Sequence, residues 1–79
     1  MTDTLLLEIA ILKARLTKKE VARRLGLSVM AFYEKSHNIT EFRASEINKL
    51  YTILNLSSLE EQQRIFFNRQ VDSKSTSGQ

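Results

Sequence analysis

The sequence predicts an all-α fold, a bundle of five short helices. The chain has 79 residues, of which 42% are apolar, enough for one small core and too few for two. It has no proline and only two glycines, and its apolar side chains recur at helical rather than alternating spacing. We therefore expect one domain over residues 1–69. Residues 70–79 are polar and are expected to form a disordered tail, because they lack apolar surface that would offset the entropy of ordering.

The first helix is predicted near residues 4–15. Leu5, Ile9, Leu12 and Leu16 recur at helical spacing and are expected to face the core. Three more apolar side chains lie on other sides of this helix: Leu6, Leu7 and Ile11. A fifth helix that folds back is expected to cover them, and the alternative is a surface shared with another molecule.

The next twenty residues read TKKEVARRLGLSVMAFYEKS and predict a helix-turn-helix, with helices near 18–25 and 29–36. Thr17 and Glu20 have the spacing of a capping box, which starts the first of these helices. Gly26 supplies a turn conformation that other residues resist. The side chains expected to pack or cap this unit are Val21, Ala22, Leu25, Leu27, Ser28 and Phe32.

The last two helices are predicted near 44–55 and 58–68. The helix near 44–55 has no obvious cap, and either Arg43 or Ser45 must start it. At the start of the helix near 58–68, two serines stand three residues before two glutamates, which predicts overlapping capping boxes. In the connection before both helices, Ile39 and Phe42 are expected to anchor the chain in the core. The inward side chains are expected to be Ile47, Leu50, Tyr51, Leu54, Leu59, Ile65, Phe66 and Phe67. For the terminal phenylalanines, an oligomer contact is the alternative.

These residues carry a family resemblance. Ala22, Gly26, Leu27, Ser28 and Phe32 stand at the pattern positions of the helix-turn-helix in the lambda-repressor and Cro-like family. The downstream segment EKSHNITEFRASEINKLYTILNLSSLEEQQRIFF resembles small phage regulators with a K-x-x-N-x-x-E-F linker, an S-E-I-x-K-L helix, L-N-L-S and a terminal I-F-F. The resemblance covers nearly the whole chain. It implies a five-helix lambda-repressor-like bundle and a transcriptional regulator of the phage lysis-lysogeny switch.

The charge distribution points to a macromolecular partner. Six of the twelve Lys and Arg lie between Lys13 and Arg24, where only Glu20 opposes them. A surface of this kind suits phosphate or an acidic partner, although a solvated helix face is the plain alternative. The residues expected to make these contacts are Thr17, Lys18, Lys19, Arg23 and Arg24.

The start of the second helix of the unit bears on the choice of partner. The resemblance implies that this helix presents its first residues to base edges, where DNA readers usually carry polar side chains. This chain has Val29 and Met30 there, followed by Tyr33 and the acidic Glu34. We therefore expect a protein partner rather than DNA. Small phage proteins that resemble this chain include modulators of repression, which act as antirepressors by binding the phage repressor, and the resemblance implies that this repressor is the partner. The alternative is a Cro-like repressor that binds operator DNA, with apolar contacts to thymine methyl groups. The residues expected to contact either partner are Ser28, Val29, Met30, Tyr33 and Glu34.

Other function classes find little support in the sequence. We expect no enzymatic activity, cofactor, metal, small-molecule substrate or membrane partner, and self-association is left open. His37 is the only histidine and there is no cysteine, so neither a metal site nor a catalytic pair is expected at His37. We expect His37 to be a turn residue. Glu60 and Glu61 point to different sides of a helix and serve as caps. The longest apolar stretch, residues 5–12, is interrupted by Glu8 and is much shorter than the roughly 18 residues that cross a bilayer. Without cysteine or a signal peptide, the cytoplasm of a bacterial host is the expected location.

Overall fold

The computed structural model describes residues 1–68, and all regular structure within them is helical. The five helices are α1 (Thr4–Lys13), α2 (Lys18–Leu25), α3 (Val29–Ser36), α4 (Ala44–Ile53) and α5 (Leu59–Phe66). The predicted fold class is confirmed, since no strand occurs in this part of the chain. The bounds of α2 and α3 agree with the prediction, while the other helices are slightly shorter. The predicted disorder of residues 70–79 lies outside the described residues.

The early ends of α1 and α4 have one physical cause. The chain leaves these helices through Arg15 and Asn55, whose φ angles of 61° and 56° lie in the left-handed region. The next amide then reaches back to the last turn: Leu16 N–H donates to the Ile11 carbonyl (3.2 Å), and the same bond recurs after α4. This reversal turns the following leucine inward, so Leu16 packs against the core as predicted and Leu56 is buried.

The core draws side chains from all five helices. An aromatic row joins α3 to α5, because Phe42 lies between Phe32 and Phe66 with ring centroids 6.0 and 6.1 Å apart. Phe42 therefore anchors its connection as predicted. The buried apolar residues are Leu7, Ala10, Ile11, Val21, Ala22, Leu25, Phe32, Leu50, Leu54, Leu56, Ile65 and Phe66.

The orientation of α1 contradicts the prediction. Leu5, Ile9 and Leu12 were expected in the core but are exposed, and Leu7 and Ile11 are buried instead. Helical spacing fits either set, because α1 is apolar on both sides. Contacts with distant residues decide the orientation. As predicted, α5 packs against α1, but it leaves Leu5, Ile9 and Leu12 exposed.

Three other predicted core residues are also exposed: Ile39, Leu59 and Phe67. Each stands at the edge of a helix rather than inside one. Ile39 follows Asn38, which has a positive φ of 64° and redirects the chain. Leu59 is the first residue of α5 and Phe67 lies just beyond its last. At the end of a helix or beyond it, helical periodicity is a poor guide to burial, so it places these three side chains wrongly.

The residues before α1 are held by partners far along the chain. The Thr2 N–H donates to Asn38 Oδ1, and Asn38 Nδ2 donates to the Thr2 carbonyl, both at 2.9 Å. Asp3 N–H donates to the Ile65 carbonyl at 2.6 Å. Asn68 Nδ2 donates to Asp3 Oδ2 at 2.8 Å. These bonds connect the end of α3 and the end of α5 through one short segment.

Within residues 1–68, no helix combines the length and the apolar character needed to cross a membrane.

Candidate partner-binding surface of the helix-turn-helix

The turn between α2 and α3 depends on Gly26. Its φ of 76° lies in the left-handed region, where a side chain is strained. This conformation lets the Leu27 N–H donate to the Ala22 carbonyl at 2.9 Å, which closes the end of α2. Ala22 is buried in the core. The structure therefore confirms the turn predicted for this unit.

Both helices of the unit begin with the predicted caps. Thr17 Oγ1 accepts from the Glu20 N–H (3.1 Å), and Glu20 Oε1 accepts from the Thr17 N–H (2.9 Å). Hydrogen bonds from Thr17 hold the pKa of Glu20 below its ordinary value. Ser28 Oγ accepts from the Ala31 N–H at 3.0 Å and caps α3. Two predicted contact residues, Thr17 and Ser28, therefore use their hydroxyl oxygens to start helices.

The exposed and buried sides of α3 differ sharply. Phe32 is 2% exposed, whereas Val29, Met30 and Tyr33 are 55%, 63% and 50% exposed. This split was predicted, because Phe32 serves the core and the others occupy the outer face. We call Val29, Met30 and Tyr33 the recognition patch. The structure thus brings three of the predicted contact residues together at the surface, in the first turns of α3.

The aromatic end of the recognition patch is held in place by His37. The rings of Tyr33 and His37 are stacked, with centroids 4.1 Å apart and planes inclined by 28°. His37 Nδ1 also lies 2.9 Å from the Tyr33 carbonyl oxygen. Spacing of four residues on a helix could have indicated this contact, which the sequence analysis did not consider. Glu34, the remaining predicted contact residue, is half-buried, and its carbonyl accepts from the Ile39 N–H (2.9 Å).

The predicted cations on α2 fall into two groups. Lys18 Nζ lies 2.8 Å from Glu8 Oε2 on α1, so its charge is balanced within the chain. The hydrogen bond and the charge of Lys18 hold the pKa of Glu8 below its ordinary value. Lys19, Arg23 and Arg24 are exposed and form no salt bridge within residues 1–68. They give the exposed surface of α2, the helix that precedes the turn into α3, its positive charge.

A nearly buried ion pair, missed by the sequence analysis, fixes α3 against α4. Lys35 Nζ lies 2.8 Å from Glu46 Oε1, and the two side chains are only 14% and 11% exposed. Glu46 Oε1 also accepts from the Arg43 N–H at 2.8 Å and so holds the start of α4, where Arg43 supplies no side-chain cap. Burial raises the pKa of Glu46, but the hydrogen bonds and charges of Lys35 and Arg43 outweigh it and lower the pKa. At its end, α3 accepts a further bond, from Thr4 Oγ1 to the Ser36 carbonyl at 2.6 Å.

The fold and this surface define a small helix-turn-helix domain whose first helix carries exposed cations and whose second helix presents exposed apolar side chains. No protein-family model, curated protein or solved structure matches the chain. The arguments for a function therefore rest on the residues and geometry of this surface.

Proposed function

We propose that this chain is a phage transcriptional regulator of the modulator-of-repression type, which binds a repressor protein through the recognition patch. The exposed apolar side chains of Val29, Met30 and Tyr33 carry the proposal. The family resemblance supports the phage setting, the lysis-lysogeny switch and a bacterial cytoplasm.

The chemistry of the recognition patch favours a protein over DNA. A base edge is read by matched hydrogen-bond donors and acceptors, whereas the side chains of Val29 and Met30 offer no donor and only the weak thioether acceptor of Met30. An aromatic ring beside a flexible thioether and a branched aliphatic side chain is typical of an interface hot spot. Tyr33 is stacked on His37, so little side-chain entropy is lost when a partner packs on it.

The cations of α2 suit a partner with an acidic rim. Lys19, Arg23 and Arg24 have no salt bridge among the described residues, so an approaching carboxylate displaces no salt-bridge partner within residues 1–68. Charges at the rim of an interface raise the association rate more than the affinity. We therefore assign the apolar patch to affinity and the cations to steering.

The same cations support a second candidate function, Cro-like binding to operator DNA. They lie on α2, the helix that crosses the DNA backbone in this type of fold. In that case Val29 and Met30 contact thymine methyl groups while Lys19, Arg23 and Arg24 bind phosphates.

Introducing a charge into the patch tests the protein-binding proposal. The variants Val29→Asp and Met30→Asp place a carboxylate in the apolar contact, and Leu59→Asp is the matched control, since Leu59 is also exposed but lies on α5. Binding to the purified repressor encoded in the same phage region is measured by titration calorimetry. We expect the two patch variants to lose binding and the control to retain it. Met30→Ala should weaken binding by about 2 kcal/mol, roughly 30-fold.

Salt dependence separates the two candidate functions. If three cations contact phosphates, DNA affinity should fall about 40-fold between roughly 50 and 200 mM salt, and Arg23→Ala should reduce the slope by about one. A repressor complex dominated by apolar burial should change much less. Nanomolar binding of the wild-type chain to one operator, without affinity for the repressor, would establish the Cro-like function instead.

A further inference from the structure

The outer side of α1 carries an uncovered apolar row. Leu5, Ile9 and Leu12 are 65%, 37% and 73% exposed, and we call them the α1 row. We propose that the α1 row is the contact surface for a second copy of this chain, with the two α1 helices packed antiparallel.

The α1 row is anomalous for a helix on the surface of a monomer. A surface helix normally has one apolar side, whereas α1 buries Leu7 and Ile11 on one side and exposes the α1 row on the opposite side. A helix that is apolar all round is normally covered all round. Within residues 1–68, α5 covers only part of the remainder, since the groove it forms with α1 reaches Ile9 but is lined by neither Leu5 nor Leu12.

The spacing of the α1 row is self-complementary. Leu5, Ile9 and Leu12 are separated by four and three residues, so the row reads almost the same in both directions along α1. In an antiparallel pair, each Leu5 meets the Leu12 of the other copy, and the two Ile9 side chains meet near a two-fold axis. A closed dimer requires such a patch, which contacts its own copy.

The charges around the α1 row distinguish a second copy from an acidic partner. Charges of both signs border the row, with Glu8 paired to Lys18 at 2.8 Å and Glu60 paired to Arg64 at 3.0 Å. Lys13 and Glu61 line the same groove as Ile9. The row therefore lies in a balanced field that tolerates its own copy. The exposed surface of α2 differs, because its cations Lys19, Arg23 and Arg24 repel those of a second copy.

The two ends of α1 favour the antiparallel orientation. Lys13 and Arg15 lie at the carboxyl end of the helix, and Asp3 caps its amino end. Antiparallel packing places the Lys13 and Arg15 cations of the two copies at opposite ends of the pair, and it also opposes the two helix dipoles. Parallel packing brings like charges together at both ends.

The expected dimer is weak and depends on concentration. Three side chains on each copy, with their flanks, cover less than the roughly 800 Å² per partner of a standard interface. Because of the two-fold symmetry, each substitution acts twice. Leu12→Ala should therefore raise the dimer dissociation constant at least about tenfold.

Analytical ultracentrifugation of the full chain tests the association. We expect the wild type to shift from monomer towards dimer between micromolar and millimolar concentration, and Leu12→Asp to remain monomeric. Val29→Asp is the matched control and should dimerise like the wild type. Far-UV circular dichroism checks that each variant is folded, which exposure of these side chains leads us to expect. A wild type that stays monomeric at millimolar concentration, or a Leu12→Asp variant that still dimerises, overturns the proposal.

Disulfide trapping tests the orientation, and the absence of cysteine from the chain makes single-cysteine variants informative. Ile9→Cys should form a disulfide-linked dimer under mild oxidation, faster than a Met30→Cys control. Leu5→Cys should link poorly to itself but readily to Leu12→Cys in a mixture of the two variants. If Leu5→Cys links to itself as fast as Ile9→Cys, the antiparallel pairing is wrong.

Discussion

The contribution of the Lys35–Glu46 ion pair to the stability of the fold can be tested by changing one heavy atom of the Glu46 side chain. Glu46→Gln removes the negative charge but keeps an Oε1 oxygen that can accept from the Arg43 N–H, so the start of α4 should survive. The Lys35 ammonium then loses its counter-charge while its side chain remains only 14% exposed. An uncompensated, nearly buried charge is expected to destabilise the fold.

The size of the effect follows from the burial of the pair. Breaking a buried ion pair by removing one charge costs about 3–5 kcal/mol, and the residual exposure of both side chains places this pair near 3 kcal/mol. For a domain of this size, the corresponding fall in Tm is roughly 15 °C. Lys35→Met keeps the apolar stem of the side chain and should lower the unfolding free energy by less, about 1–2 kcal/mol. The reason is that the Glu46 carboxylate still accepts the hydrogen bond from the Arg43 N–H.

A double-mutant cycle measured by urea unfolding at neutral pH checks the reasoning. The combined Lys35→Met and Glu46→Gln variant should be more stable than the sum of the single effects predicts, with a coupling of about 2 kcal/mol. If each single variant unfolds within about 0.5 kcal/mol of the wild type, the pair behaves as an exposed salt bridge, and its assigned role in fixing α3 is refuted.

Further predictions concern pH, the turn, the core and the N-terminal contacts. The folded-state pKa of Glu46 is below its ordinary value. The Glu46 carboxylate therefore contributes stability at pH values above its ordinary pKa, and this contribution is lost as the pH falls through the folded-state pKa. When the unfolding free energy is measured against decreasing pH, Glu46→Gln should lose less stability than the wild type. Gly26→Ala should cost about 1–2 kcal/mol through its left-handed backbone, with Gly26→Asn milder, in thermal melts. Phe32→Ala should cost about 3–5 kcal/mol by opening a cavity, measured by urea unfolding. Asn38→Ala should cost about 1–3 kcal/mol and speed amide exchange at Thr2, whose N–H loses its acceptor.

The sequence was sufficient for the helix-turn-helix because the interactions that define it are local. The Thr17–Glu20 box, the Ser28 cap and the Gly26 turn each join residues within a few positions, so spacing alone reveals them. The division of α3 into a buried Phe32 and an exposed recognition patch follows from the same short-range geometry. That the patch binds a repressor depends on another molecule and stays a prediction.

Where the prediction failed, the deciding contacts join residues far apart in the chain. The rotation of α1 is set by bonds such as Thr4 Oγ1 to the Ser36 carbonyl, which periodicity within α1 cannot express. The pairing of Lys35 with Glu46 spans two helices and has no characteristic spacing. Exposure of Ile39 depends on the left-handed Asn38, whose amide is held by Thr2. Composition gives no sign of any of these.

The bonds of the residues before α1 have a consequence for the order of folding. The Asn68 side chain and Asp3 are separated by 65 residues, so their contact closes a loop that spans nearly the whole described chain. Closing a loop of this length costs conformational entropy before the contact contributes any stability. The α2–α3 unit forms from residues that are close in sequence, so its entropic cost is smaller. The unit that carries the recognition patch should therefore be structured in the folding transition state, and the Asp3 bonds should form after it. Substitutions at Asp3 should accelerate unfolding and leave the folding rate almost unchanged.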